Sequence, residues 1–103
     1  MEEILVKIDE DLEDIVPVFL VKRDENIIDI KEFLKTDNFE GIRVIGHSMK
    51  GAGAGYGFER ISWYGLKMEE CAKKKNKEAI EILLNELEWY IQNIKIEYVE
   101  EGD

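Results

Sequence analysis

The chain has one cysteine, one proline and one histidine in 103 residues, and no apolar run near the ~20 residues of a membrane-spanning helix. A lone Cys71 cannot close an internal disulfide, which points to a reducing compartment and leaves packing to hold the fold. A chain of this length buries roughly two-thirds of its unfolded surface, so a single domain over 1–103 needs no metal or disulfide staple. The opening MEEILVKIDEDLEDI is acidic where a secretory signal is basic and then apolar, so a soluble, cytoplasmic protein is expected. Basic charge is scarce too. Fourteen Lys and Arg stand against 24 Asp and Glu, a formal charge of -10, which argues against nucleic acid because phosphate binding rests on cations. The one basic run, KKKNK at Lys73–Lys77, reads as an inter-helix turn with cations at a helix C-terminus.

What the chain does have is helical periodicity. Apolar residues recur at three and four rather than at two. Leu12, Val16, Phe19, Ile27, Ile30 and Leu34 trace one face from about Asp11 to Lys35, with Arg23 its one polar interruption. Pro17 falls inside this stretch and predicts a break between a short leading helix and a long one. A second segment from Asn38 to about Gly55 carries Ile42, Ile45, Met49 and Ala52, and a third from Phe58 carries Ile61, Gly65, Met68 and Ala72. The last opens on Asn76 as N-cap and presents Ile80, Leu83, Leu84, Leu87, Tyr90, Ile91, Ile94 and Tyr98. Short connections favour antiparallel neighbours. The expected fold is all-α: an antiparallel, up-down-up-down four-helix bundle, with room for a short extra N-terminal helix. Trp63, Tyr64, Trp89 and Tyr90 are expected at the core or its edge, and Cys71 as a packed small residue.

The segment IGHSMKGAGAGYGF, Ile45 to Phe58, breaks this pattern, holding the only histidine and five of the eight glycines. Glycine inside a helix costs about 0.5–1 kcal/mol relative to alanine, so this density needs a compensating reason. With Ile42, Ile45, Met49 and Ala52 on the core side, His47 lies more than ~90° away and faces solvent. Lys50 and Gly51 share its face, and Arg43 and Val44 lie one turn earlier.

Several chemistries are excluded. Gly41–Ser48 has Walker A spacing but places His47 where the lysine must be, and no strand is expected before it; GAGAGYG lacks the dinucleotide spacing. A bundle di-metal site needs Glu three residues before the histidine, where Val44 stands. One histidine and one cysteine are too few for a zinc cage, so no metal and no cofactor is expected. Ser48 beside His47 points to another face and makes no hydrolytic pair. The remaining chemistry is the imidazole as a nucleophile. Free imidazole, with a reference pKa of ~6.5, is largely neutral at pH 7 and attacks a phosphoryl group without a separate base. Lys50 would balance the charge so acquired.

These residues resemble the histidine-containing phosphotransfer domain family, the intermediates of multistep two-component phosphorelays. The family pattern, His-x-x-Lys-Gly with small residues and a further glycine, appears here as His47, Lys50, Gly51 and Gly57. The resemblance implies that His47 is the phosphoacceptor, that Lys50 steadies the phosphoryl group, that Gly51 admits a receiver domain and that Gly57 ends the helix. It implies receiver domains and a sensor histidine kinase as partners, with Mg²⁺ on the receiver, and a monomeric carrier that contacts neither nucleic acid nor membrane. Arg43, Val44 and Ala54, with the apolar rim of the preceding helix, would form the docking face. Gly46 and Ala52 stand where the family often has alanine and serine. Where many members hold the imidazole with a glutamine from the next helix, this chain offers Glu69 or Glu70. Two other readings stand beside this one: a helical adaptor that binds without chemistry, and the phosphoacceptor domain of a chemotaxis-type histidine kinase. With no kinase in 103 residues, a free-standing carrier is expected.

Overall fold

Six residues at each end of the chain alternate apolar and polar side chains, ILVKID and IKIEYV, and in the computed structural model, which describes residues 3–100, both are strands. β1 (Ile4–Asp9) and β2 (Ile94–Val99) pair in parallel in a two-stranded sheet. The register sets Ile4 beside Ile94, Val6 beside Ile96 and Ile8 beside Tyr98, so one face is apolar. Leu5, Lys7, Lys95 and Glu97 take the exposed face. This corrects the all-α expectation. The leading element is a strand followed by a 3₁₀ turn at Glu10–Leu12, not a helix, and Ile94 and Tyr98 belong to a strand rather than to the last helix. Period-two alternation with β-branched residues overrides the helical reading at both ends. Met1 and Glu2 of the acidic opening lie outside the described residues.

Between the strands run four helices: α1 (Val16–Lys35), α2 (Phe39–Tyr56), α3 (Glu59–Lys73) and α4 (Lys77–Asn93). Pro17 sits in the first turn of α1, where its missing N–H has no intrahelical partner to lose, so it starts the helix instead of dividing it. Asn38 and Asn76 cap α2 and α4, their side-chain oxygens accepting from Gly41 N at 3.0 Å and Ala79 N at 3.1 Å. Gly57, at φ 85°, ends α2 in the left-handed conformation. Lys73 lies in the last turn of α3, as read from the basic run, and Lys75 takes a positive φ of 55° in the turn that follows.

The core is one cluster drawn from every helix and from Ile8 of β1. Ile30, Ile42, Met49, Ile61, Met68, Ile80 and Leu87 are fully enclosed, each side chain worth roughly 1.5–3 kcal/mol of burial. Tyr64 and Tyr90 join them, whereas Trp63 and Trp89 are exposed. Each Trp precedes a buried Tyr on its helix, and neighbours ~100° apart cannot both face inward.

α2 and α3 approach most closely, and glycine is the reason. A Cβ at Gly46 would lie 2.7 Å from the backbone nitrogen of Glu69, and one at Gly53 2.6 Å from that of Ser62. Gly65 meets the backbone of Lys50 and Gly46 from the other side. The contacts run in opposite order along the two helices, Gly46 toward Glu69 and Gly53 toward Phe58.

Candidate functional site

The close α2–α3 packing brings a carboxylate under the histidine. Glu69 of α3 is buried, its side chain only 7% exposed, and it divides its oxygens between two residues of α2. Oε2 lies 3.1 Å from His47 Nδ1, and Oε1 accepts from Lys50 Nζ at 3.2 Å. Burial pushes the Glu69 carboxyl up, but hydrogen bonds and charge from Lys50 and His47 outweigh it and hold the group below the usual carboxylate range. An ionised carboxylate only accepts, so Nδ1 carries a proton, and in the neutral ring the lone pair is on Nε2. His47 itself is 65% exposed. The nitrogen left free is therefore available to a reactant that arrives from solvent.

The backbone is held at the same place. Ser62 Oγ of α3 donates to the Lys50 carbonyl at 2.8 Å, tying the turn of α2 that carries Lys50 to α3 about two turns before Glu69. Gly51, one turn past His47, faces open space; a Cβ there would meet nothing within 4 Å, and the same holds for Gly55. The glycines thus divide. Gly46, Gly53 and Gly65 let two backbones touch, Gly57 turns the chain, and Gly51 and Gly55 leave the outer surface of α2 bare.

Of the residues singled out in the sequence, His47, Lys50 and Glu69 form one cluster. Glu70 is exposed and pairs with Lys67 at 3.3 Å, away from the imidazole. Arg43 pairs with Glu40 one turn earlier, which raises the guanidinium pKa and lowers that of the carboxylate. The Glu69 charge adds a smaller effect in the same direction on Arg43. Val44 and Ala54 are exposed on α2. Sequence reasoning missed Ser62. It could have separated Glu69 from Glu70, because Glu69 follows Gly65 by four residues and so lies on the buried stripe with Ile61, Gly65 and Ala72.

Among the described residues no group of three or more His, Cys, Asp or Glu is placed to hold a metal ion, and no helix is long and apolar enough to cross a membrane. Comparison with protein-family models, curated proteins and solved structures found no match to this chain.

Proposed function

We propose that the protein is a phosphocarrier of the histidine phosphotransfer kind, taking a phosphoryl group on His47 from the aspartyl phosphate of a receiver domain and passing it to an aspartate of another. The observation that carries this reading is the Glu69–His47 contact, which in the neutral form of an exposed ring puts the proton on Nδ1 and the lone pair on Nε2. Attack by that lone pair forms the P–N bond as the acyl P–O bond breaks and the electron pair leaves with the partner's carboxylate. No proton need move. The ring becomes cationic, and the carboxylate at Nδ1 stabilises it while Lys50 faces the incoming phosphoryl oxygens. Mg²⁺ would be held by the receiver, and the carrier supplies only a positioned nucleophile.

The rest of the surface supports the same reading. Gly51 and Gly55 leave room for a second protein, Val44 and Ala54 give it an apolar contact, and Arg43 and Lys50 draw an acidic pocket toward His47. Such an encounter serves a relay at micromolar affinity, since the carrier must leave one partner for the next. The short connections and the opposed contact order of α2 and α3 support the up-down-up-down antiparallel bundle, which acts in this reading as a cytoplasmic monomer.

A second donor is favoured by one feature. A carboxylate, rather than an amide, behind the imidazole stabilises a cationic ring, and this helps most when the donor is ATP, a less reactive phosphoryl compound than an acyl phosphate. The acceptor domain of a chemotaxis-type kinase would use the site in that way. A labelled phospho-receiver and, separately, ATP with a kinase domain distinguish the donors. Label that moves to wild type but not to His47→Gln, and that is lost in acid and kept in alkali, is the expected result. Failure of several receivers, a kinase domain and a small phosphoramidate on folded protein would leave the adaptor reading.

A further inference from the structure

The outer edge of β1 has no strand beside it. The sheet has two strands, and in each of them alternate N–H and C=O groups point away from the neighbour. Among the described residues nothing but β2 bonds to the main chain of Ile4–Ile8. No proline and no bulge blunts this edge, since the register with β2 runs unbroken from Ile4 to Asp9. Its one charge, Lys7, stands on the exposed face beside Leu5, itself 55% exposed. A cleft of about 380 Å³ follows the edge. Four consecutive residues, Ile4 to Lys7, line one wall and no residue of β2 takes part, so the cleft lies on the side of β1 away from its partner. Gly57, the first turn of α3 with Glu59 and Arg60, and Tyr90 of α4 line the other.

The charge in this cleft runs against that of the chain. Lys7 and Arg60 outnumber Glu59 in its lining, whereas the whole protein carries -10. Arg60 is exposed but fixed: its Nη2 donates to the Tyr64 hydroxyl at 3.3 Å, and its guanidinium lies 5.0 Å from the centroid of the Tyr90 ring. Lys31, Lys50 and Lys77 each have a carboxylate within ion-pair distance; among the described residues neither Lys7 nor Arg60 has one. We propose that the cleft takes an extended segment of a partner protein, which adds to β1 as a third strand and sets an acidic side chain on Arg60. Main-chain hydrogen bonds to the free edge hold the segment, and the fixed guanidinium selects the acid. Ile4 to Lys7 span ~10 Å, so a few residues of the segment pair. A third strand also reinforces a ribbon that is marginal with two. A second copy of the chain fits less well, because antiparallel pairing of β1 with itself sets Asp9 and Glu10 of each copy toward Glu3 of the other. This inference stands apart from the phosphotransfer reading, since it uses none of His47, Lys50 or Glu69.

The test is titration of the ¹⁵N-labelled protein with acetylated, amidated seven-residue peptides of valine and threonine that carry one glutamate at the third, fourth or fifth place, followed by amide shifts and amide exchange. Before addition, the amides of Ile4–Ile8 should alternate between slow and fast exchange. With at least one peptide at millimolar concentration the fast amides should become slow, and shifts should saturate at β1, Arg60 and Tyr90. Lysine in place of the glutamate should weaken binding severalfold, and so should Arg60→Met. Two further versions of the peptide carry N-methyl groups on alternate amides, in one phase or the other. One should lose binding and the other keep it, since only one row of amides faces β1. His47→Gln should bind the peptide as wild type does, whatever becomes of phosphoryl transfer. No saturable binding of any glutamate peptide, equal binding of the lysine peptide or by Arg60→Met, equal binding of both methylated versions, or shifts elsewhere on the surface would each overturn the proposal. So would exchange along the whole of β1 that slows with protein concentration alone, which assigns the edge to a second copy.

Discussion

Glu69 holds His47 and Lys50 at once, with 3.1 Å to the imidazole Nδ1 and 3.2 Å to the ammonium, from a position enclosed between two helices. A single carboxylate thereby orients the imidazole and its neighbouring cation. Glu69→Gln keeps an acceptor for Nδ1–H but loses the charge. It should slow phosphoryl acceptance by about tenfold, and Glu69→Ala by more, in single-turnover assays. Equal rates in all three proteins would show that the contact is structural.

Lys50→Met strips Glu69 of one partner and, in the proposed transfer, removes the charge that would face the phosphoryl group. Transfer should fall by on the order of ten- to a hundredfold, while Lys50→Arg retains most of it. Phosphohistidine lifetime, measured after the donor is removed, should shorten in the Met variant.

The pH dependence follows from Glu69. Its carboxyl sits below the ordinary value of 4.5 in the folded protein, so its stabilising effect is complete above that value. That effect is lost as pH falls through the lower, folded pKa. Urea melts from pH 7 to pH 3 should show wild type losing stability relative to Glu69→Gln only below about pH 4.5. A constant difference across the range would contradict the assignment.

Alanine should sort the glycines. Gly46→Ala, Gly53→Ala and Gly65→Ala force two backbones apart and should destabilise by about 1–3 kcal/mol. Gly51→Ala and Gly55→Ala meet nothing and should stabilise by roughly 0.5–1 kcal/mol through helix propensity. If Gly51 serves docking, Gly51→Ala combines higher stability with slower transfer from a receiver, a pairing that a packing role would not produce.

Ile8 is fully buried in the common core although it belongs to a terminal strand. Ile8→Ala should cost about 2–5 kcal/mol in denaturant melts, as a helical core position does. A loss under ~0.5 kcal/mol would mean that the strand pair is only loosely applied.

The helices were legible in the sequence because each carries its own periodic stripe and, for α2 and α4, an asparagine cap. The strands were not, because each is short and its apolar positions also fit the edge of a helical stripe: Ile94 and Tyr98 are four apart. Parallel pairing between the two ends of a chain also leaves no local turn to announce it. At the site, His47, Lys50 and the bare Gly51 could be read within one helix. The stripe of α3 through Gly65 also favoured Glu69 over Glu70, but its reach to His47 and Lys50 at once depended on how α3 packs on α2. Gly46 and Gly53 supply the compensating reason that the glycine density called for, the helix contact that lifts Glu69 under the ring, and that reason shows only once α3 is in place.

The pairing of β1 with β2 also has a mechanical side. The chain enters at Ile4, beside Ile94, and leaves at Val99, beside Asp9, so tension between its ends runs along both strands in opposite senses. The ladder would then bear load across all its hydrogen bonds together, in shear, instead of opening one bond at a time. The strand pair is a clasp. Pulled from its ends, the protein should resist until the clasp slides as a whole, and only then release the helices it encloses.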